Sequence, residues 1–300
     1  MKADKRFLNQ PLDFWANIKL ISQKAGYTDT KTKQVKVHSL EEIKAVYESN
    51  NLDCSKVIDK NNKFTVLGNL IIAYLQHRSD VLRTHVEPNL MKLAEAKKTF
   101  GALKKKLKPT CPLPLNKQKG DKAGYAYLTG IVNMLIEANS RGFDCNYDPK
   151  ELTAFTRNKF PVRTLSRRVD GAFPNVINPI AIWEIKEYYF TTTFGSRVAD
   201  GVYETWLDGL ELREVKDNLK IKVQHFLIID DHFTWWTKGR SYLCRIIDML
   251  HMGILTEALF GKEVLTQLPV IVQGWIKEAK RKLRNSGQKR VFVQHGQWQR

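Results

Sequence analysis

The stretch NPIAIWEIKEYYF (Asn178–Phe190) is apolar and aromatic enough for a buried β-strand, yet it carries Glu184 and Lys186 one residue apart. In a strand alternate side chains share a face, so Glu184 and Lys186 project together while Trp183 and Ile185 project from the opposite side. The same Glu-x-Lys spacing occurs at Glu42–Lys44, Glu95–Lys97, Glu214–Lys216 and Glu278–Lys280. The first two fall in helical patterns and the last in the basic C-terminal helix, where residues i and i+2 point about 200° apart and cannot converge. The Glu214–Lys216 pair is expected in a polar link between a helix and a strand. Context therefore singles out Glu184 and Lys186.

Upstream, RTLSRRVDGAFPNV (163–176) reads as a neighbouring antiparallel strand, with turn residues at Gly171, Pro174 and Asn175. Asp170 then ends that strand beside Glu184, and two carboxylates and an ammonium meet. Paired carboxylates repel and resist burial, so the arrangement calls for a cation between them. Hard oxygen ligands select Mg²⁺, with Mn²⁺ as a substitute and no zinc. The expected ligands are Asp170, Glu184 and the backbone carbonyl of Ile185. A cation so held polarises a phosphodiester and acidifies bound water, while Lys186 orients that water and offsets developing negative charge.

Around this centre the pattern is mixed α/β. GSRVADGVYETWLDGLEL (195–212) places Val198, Val202, Trp206 and Leu210 at i+4 spacing, a helix with one apolar stripe. IKVQHFLIID (221–230) is apolar enough for a strand covered on both faces. YAYLTGIVNMLIEANSRG (125–142) is an amphipathic helix closed by Gly142. Residues 1–110 read as a basic helical region with a possible DNA-recognition role: Ser39 and Glu42 form a capping box, residues 64–75 suit a buried helix, and residues 85–108 continue in helical period. Residues 111–123, rich in Pro, Lys and Gly, read as a linker or long loop. Residues 124–300 then form the second domain, ending in a basic helix and tail.

The composition fits a polyanionic partner. The net charge is +18, and it is uneven: residues 1–122 hold 24 Lys/Arg against 12 Asp/Glu. From Gly274 onward there are eight basic residues and one acid, Glu278. Such flanks bind phosphate backbones through counterion release. The four cysteines (Cys54, Cys111, Cys145, Cys244) are widely spaced, which points to reduced thiols and a cytoplasmic setting. No signal sequence or apolar run of membrane-spanning length is present, so no membrane partner is expected. The absence of a G-x-x-x-x-G-K-[ST] motif argues against an ATP-driven machine.

Asp170 followed by Glu184-Ile185-Lys186, in a helix–strand–strand–helix–strand frame over about 124–230, resembles the PD-(D/E)XK nuclease superfamily. Val169 stands where that name has Pro, a substitution common in the superfamily. The resemblance implies a restriction-endonuclease-like core, a central mixed sheet flanked by helices, with Asp170, Glu184 and Lys186 catalytic. It further implies a Mg²⁺-dependent endonuclease on double-stranded DNA, of the sequence-specific type II restriction kind, acting as a homodimer. A repair, recombination, transposon or phage-defence nuclease on the same core remains the alternative, as does a non-catalytic DNA-binding module.

Other residues carry plainer expectations. Arg163, Arg167 and Arg168 adjoin Asp170 and are candidates for phosphate contact. Glu137, where the superfamily sometimes has an assisting acid, reads as a solvated helix charge. His225 reads as a core histidine, and Asp230, Asp231 and His232 as a turn with capping acids. Trp235 and Trp236 are candidates for stacking on bases or the DNA backbone, with core packing at least as good a reading.

Overall fold

The computed structural model describes residues 1–116, 120, 123–190 and 195–285. The architecture is mixed α/β: a five-stranded mixed sheet flanked by helices, with a helical N-terminal layer docked against it.

The N-terminal layer is built from α1 (Leu12–Ala25), α2 (Leu40–Ser49) and α3 (Val66–Val81). Their apolar faces enclose Phe14, Trp15, Ile18, Ile43, Tyr47, Ile71 and Tyr74. The Ser39–Glu42 capping box forms in both directions, at 3.2 and 3.1 Å. A π-helical turn (Leu82–Val86) and the single turn α4 (Glu87–Asn89) interrupt the helical period expected over 85–108, and α5 (Leu93–Leu107) starts afresh. Although α5 was expected to belong with the N-terminal region, Met91, Ala96 and Phe100 pack with α6 (Tyr127–Asn139) in the sheet's core. Of the expected linker, residues 117–119 and 121–122 lie outside the described residues, while Cys111 and Leu113 pack onto that same core.

The sheet runs in the order β1 (Asn146–Tyr147), β4 (Gly171–Phe173), β5 (Ala181–Glu187), β6 (Gln224–Asp230) and β7 (Glu257–Phe260). β1, β4 and β5 are antiparallel neighbours; β5, β6 and β7 are parallel. The parallel strands are linked by crossover helices α7 (Ser196–Leu219) and α8 (Arg240–His251). Both faces are covered, which is why β5 and β6 read as nearly continuous apolar runs. Trp183, Ile185, Phe226 and Ile228 face α5, α6 and α9 (Val264–Asn285); Leu227 and Ile229 face the α8 side. β2 (Ala154–Arg157) and β3 (Phe160–Thr164) form a separate two-stranded ribbon between β1 and β4.

Two expectations about local structure are corrected. The segment 163–176 is not one strand: β3 ends at Thr164, residues 165–170 are irregular, and β4 is three residues long. The Glu214–Lys216 pair lies within α7, which extends seven residues past the expected end at 212, so all four rival pairs are helical. Along α7 the expected stripe also drifts: Val198 and Val202 are buried but Leu210 is 42 % exposed. In its place Thr205, Asp208 and Glu211 are buried, so this helix turns polar residues toward the sheet. No described helix is long and apolar enough to cross a membrane.

Candidate active site

The pairing of β4 with β5 sets Gly171 opposite Trp183, and one step further brings Asp170 beside Glu184. That register needs glycine at 171, because a Cβ there would lie 2.0 Å from the Trp183 indole. The Asp170 N–H donates to Glu184 Oε1 (3.2 Å), and the Ile185 N–H donates to Asp170 Oδ2 (2.7 Å). Lys186, two residues along β5 from Glu184, reaches back to its Oε2 at 3.0 Å. Asp170, Glu184 and Lys186 therefore meet, while the Ile185 side chain points into the opposite core.

Helix α7 closes this centre with residues that strand and hairpin reasoning alone did not single out. Glu204 Oε2 lies 2.9 Å from Lys186 Nζ, and Gly201 lets the helix approach the lysine stem closely. Arg167, just before β4, bridges the assembly: 2.6 Å to Asp208, 3.1 Å to Glu184 and 3.2 Å to Glu204. Four carboxylates thus surround two cations. The sequence did contain a signal, since Glu204, Asp208 and Glu211 recur at i, i+4 and i+7 on one helix face.

The electrostatics follow from that crowding. Burial and the nearby Glu184 carboxylate push Asp170 up to about 6 and Asp208 up to about 7. Burial also opposes charge on Lys186, but Glu184, Asp170 and Glu204 outweigh it and hold the ammonium above its ordinary range. Burial raises Glu204 and the Lys186 contact more than reverses this, leaving it lowered. Asp208 is fully buried, and its Oδ1 has no hydrogen-bond partner.

Two of the three phosphate-contact candidates are already paired with carboxylates. Arg167 is engaged with the three carboxylates, and Arg163 pairs with Glu211 (2.9 Å) and Glu214 (3.0 Å). Arg168 is exposed. Glu137 accepts hydrogen bonds from the Thr110 N–H (3.1 Å) and hydroxyl and pins the loop before α6, away from the centre. His225 is buried, contacts the Ile254 carbonyl at 3.2 Å, and is pushed down to about 4 by desolvation. Asp231 accepts from the Thr234 N–H (2.8 Å), as a capping acid does, whereas Asp230 is the buried end of β6 and accepts from the distant Met91 N–H (2.7 Å) and the Tyr189 hydroxyl, contrary to the turn expected there. Trp235 and Trp236 are buried, so both serve the core. Of the basic C-terminal residues, those after Asn285 lie outside the described residues.

Among the described residues no group of three or more His, Cys, Asp and Glu side chains is spaced to hold a metal ion. The carboxylates are gathered around Arg167 and Lys186 instead. In kind, however, the donor set fits a hard cation: Asp170, Glu184 and Asp208 offer only carboxylate oxygens, one of them the orphaned Asp208 Oδ1.

Two family descriptions match the chain: a domain of unknown function, DUF7687, over residues 91–275, and a second, DUF7690, over residues 1–85. The first covers more than half of the chain, which belongs to that family. The break between the two matches falls just before α5, where the packing also changes from the N-terminal layer to the sheet core. No curated protein and no solved structure matches the chain.

Proposed function

We propose that this member of the DUF7687 family is a metal-dependent nuclease of double-stranded DNA, built on a restriction-endonuclease-like core. The observation that carries the reading is the meeting of Asp170, Glu184 and Lys186 beside the β4–β5 pair, with Glu184 3.2 Å from the Asp170 N–H and 3.0 Å from the Lys186 ammonium. The order α6, β4, β5, α7, β6 supports it, with β4 antiparallel and β6 parallel to β5. The +18 charge suits a phosphate backbone.

Asp170 and Glu184, with the carbonyl of Ile185, would hold Mg²⁺ or Mn²⁺, which when bound acts as a Lewis acid and lowers the pKa of water. The chain's own contribution is positional. Glu184, Asp170 and Glu204 favour the charged form of Lys186, whose ammonium offers a hydrogen-bond donor and positive charge to the attacking water. Glu204 and Arg167 orient Lys186 and Glu184 respectively. Sequence-specific cleavage by a homodimer belongs to the same proposal. A panel of linear duplexes, branched DNA, DNA ends and RNA separates it from repair, recombination, transposon and phage-defence roles. One observation favours a second reading, a non-catalytic DNA-binding module: Arg167 and Lys186 already neutralise Glu184.

Single-turnover cleavage of duplex DNA decides between them. Wild type should cut with Mg²⁺ or Mn²⁺, and with Ca²⁺ should bind without cutting. Lys186→Ala should lose at least ~10²-fold in rate. Lys44→Ala, Lys97→Ala, Lys216→Ala and Lys280→Ala should keep the chemical step. Asp170→Ala should bind DNA in EDTA as well as wild type or better, because it removes a carboxylate facing phosphate. Full activity in EDTA, or a rival lysine as inactive as Lys186→Ala, would overturn the assignment.

A further inference from the structure

The β2–β3 ribbon stands apart from the main sheet, and nothing in the catalytic proposal uses it. Its tip is a two-residue turn, with Arg157 paired to Phe160 across it. Asn158 and Lys159 both take left-handed backbone (φ 51° and 66°), the combination that matches the twist of a tight hairpin. The base is fixed in three ways. Phe155 is fully buried, the Thr156 N–H donates to Asn178 Oδ1 (2.8 Å), and the Asn178 amide donates to the Thr156 hydroxyl (2.7 Å). A register shift between Phe155 and Thr156 then frees the outer part from the core.

Beyond that shift Thr156 is half-buried, and Arg157, Asn158, Lys159, Phe160 and Pro161 are all exposed. Phe160 is 72 % exposed, unusual for an aromatic at the end of a rooted ribbon. Residues 154–164 contain Arg157, Lys159 and Arg163 and no acid. Arg163, at the root, is paired with Glu211 and Glu214, but among the described residues Arg157 and Lys159 form no ion pair. The two free cations are thus at the tip, flanking an exposed ring.

We propose that the β2–β3 ribbon is a DNA-docking arm that enters the major groove of a duplex, with Arg157 and Lys159 on phosphates and Phe160 against the groove. This deepens the nuclease reading and rests on it for the partner. Beyond the register shift each strand contributes two residues, so the projecting tip reaches about 7 Å at ~3.3 Å per residue, close to the ~8.5 Å depth of the major groove. A two-stranded ribbon fits the ~12 Å major groove of B-form DNA. The deep, narrow major groove of duplex RNA excludes it. Only six residues separate β3 from β4, so the arm's position sets where the duplex lies relative to Asp170.

The test is fluorescence-anisotropy binding of the full chain to a mixed-sequence DNA duplex of about three turns, ~30 bp, and to an RNA duplex of equal length, in EDTA over a salt series. Arg157→Ala/Lys159→Ala should weaken DNA binding about 10-fold and reduce the salt slope by ~2, near 0.9 per lost phosphate contact. Phe160→Ala should weaken binding without changing the slope. Both should melt with wild type. Lys97→Ala/Lys98→Ala, on α5 across the sheet, removes equal charge and should cost clearly less. Equal losses in the two double variants, unchanged affinity in the tip variants, or equal losses on DNA and RNA would overturn the arm. Weakened binding by the tip variants of a chain that never cuts DNA leaves the arm standing and removes the nuclease reading alone.

Discussion

Arg167→Met tests whether the site is held together as its geometry implies. The arginine touches three carboxylates, but these do not depend on it equally. Glu184 keeps Lys186 at 3.0 Å and the Asp170 N–H at 3.2 Å. Glu204 is 42 % exposed and keeps Lys186 at 2.9 Å. Asp208 is fully buried, and Arg167 is the ion-pair partner of its Oδ2 at 2.6 Å, so the loss concentrates there. Stranding one member of a buried pair costs ~3–5 kcal/mol. Proton uptake limits the damage, because burial and Glu184 already push Asp208 up to about 7 and the loss of Arg167 pushes it further. A neutral, unsatisfied buried carboxyl costs ~1–3 kcal/mol. The expected destabilisation is therefore about 2–4 kcal/mol, larger at pH 8 than at pH 6, corresponding to a Tm drop of about 3–6 °C for a chain of 300 residues. Urea denaturation at both pH values measures it. Arg167→Met/Asp208→Leu should recover more than half of the loss, since the stranded group is gone. A single variant as stable as wild type at pH 8, or a double variant no more stable than the single, would refute the dependence of Asp208 on Arg167.

Two further outcomes follow from packing and titration. Gly171→Ala should cost ~1–3 kcal/mol by overpacking, since the Trp183 ring it strikes is buried and stacked on Trp275 at 5.6 Å; thermal melting checks this, and unchanged stability would mean that the β4–β5 register is wrong. Stability should also fall between pH 6.5 and about 8. Burial raises Glu187 to about 8 and Asp208 and Asp230 to about 7, so from their ordinary range upward the folded chain keeps protons that the unfolded chain has released, and stability falls until the pH passes those raised values. Desolvation lowers His38 and His225 to about 4, so between about 4 and 6.5 the unfolded chain takes protons that the fold refuses, which opposes the acids' trend there and leaves it unopposed by these histidines above 6.5. A melting temperature that climbs from pH 6.5 to 9 would contradict the burial of those acids.

What the sequence determined by itself was local. The alternation of a strand put Glu184 and Lys186 on one face whatever surrounded them, and helical geometry kept the four rival pairs from converging. The proximity of Asp170 to Glu184 was nearly local too, needing only a short antiparallel connection. The capping acid at Asp231 and the core role of His225 were readable for the same reason: each answers to residues close in sequence or to a run of apolar neighbours. Tertiary structure decided the rest. The i+4 apolar stripe read on α7 drifted because the helix crosses over between two parallel strands, and that crossing decides which face meets the sheet. It turned Glu204 and Asp208 inward and engaged Arg167, a phosphate-contact candidate in the sequence, as a bridge between carboxylates. Likewise α5 left the N-terminal layer for the sheet core, because Met91, Ala96 and Phe100 find their apolar partners on α6 and not on α1–α3. Charge and periodicity say which face of an element is apolar; only the packed chain says which charges end up opposite one another, because those contacts join residues some 40 positions apart through elements whose relative placement no local rule sets.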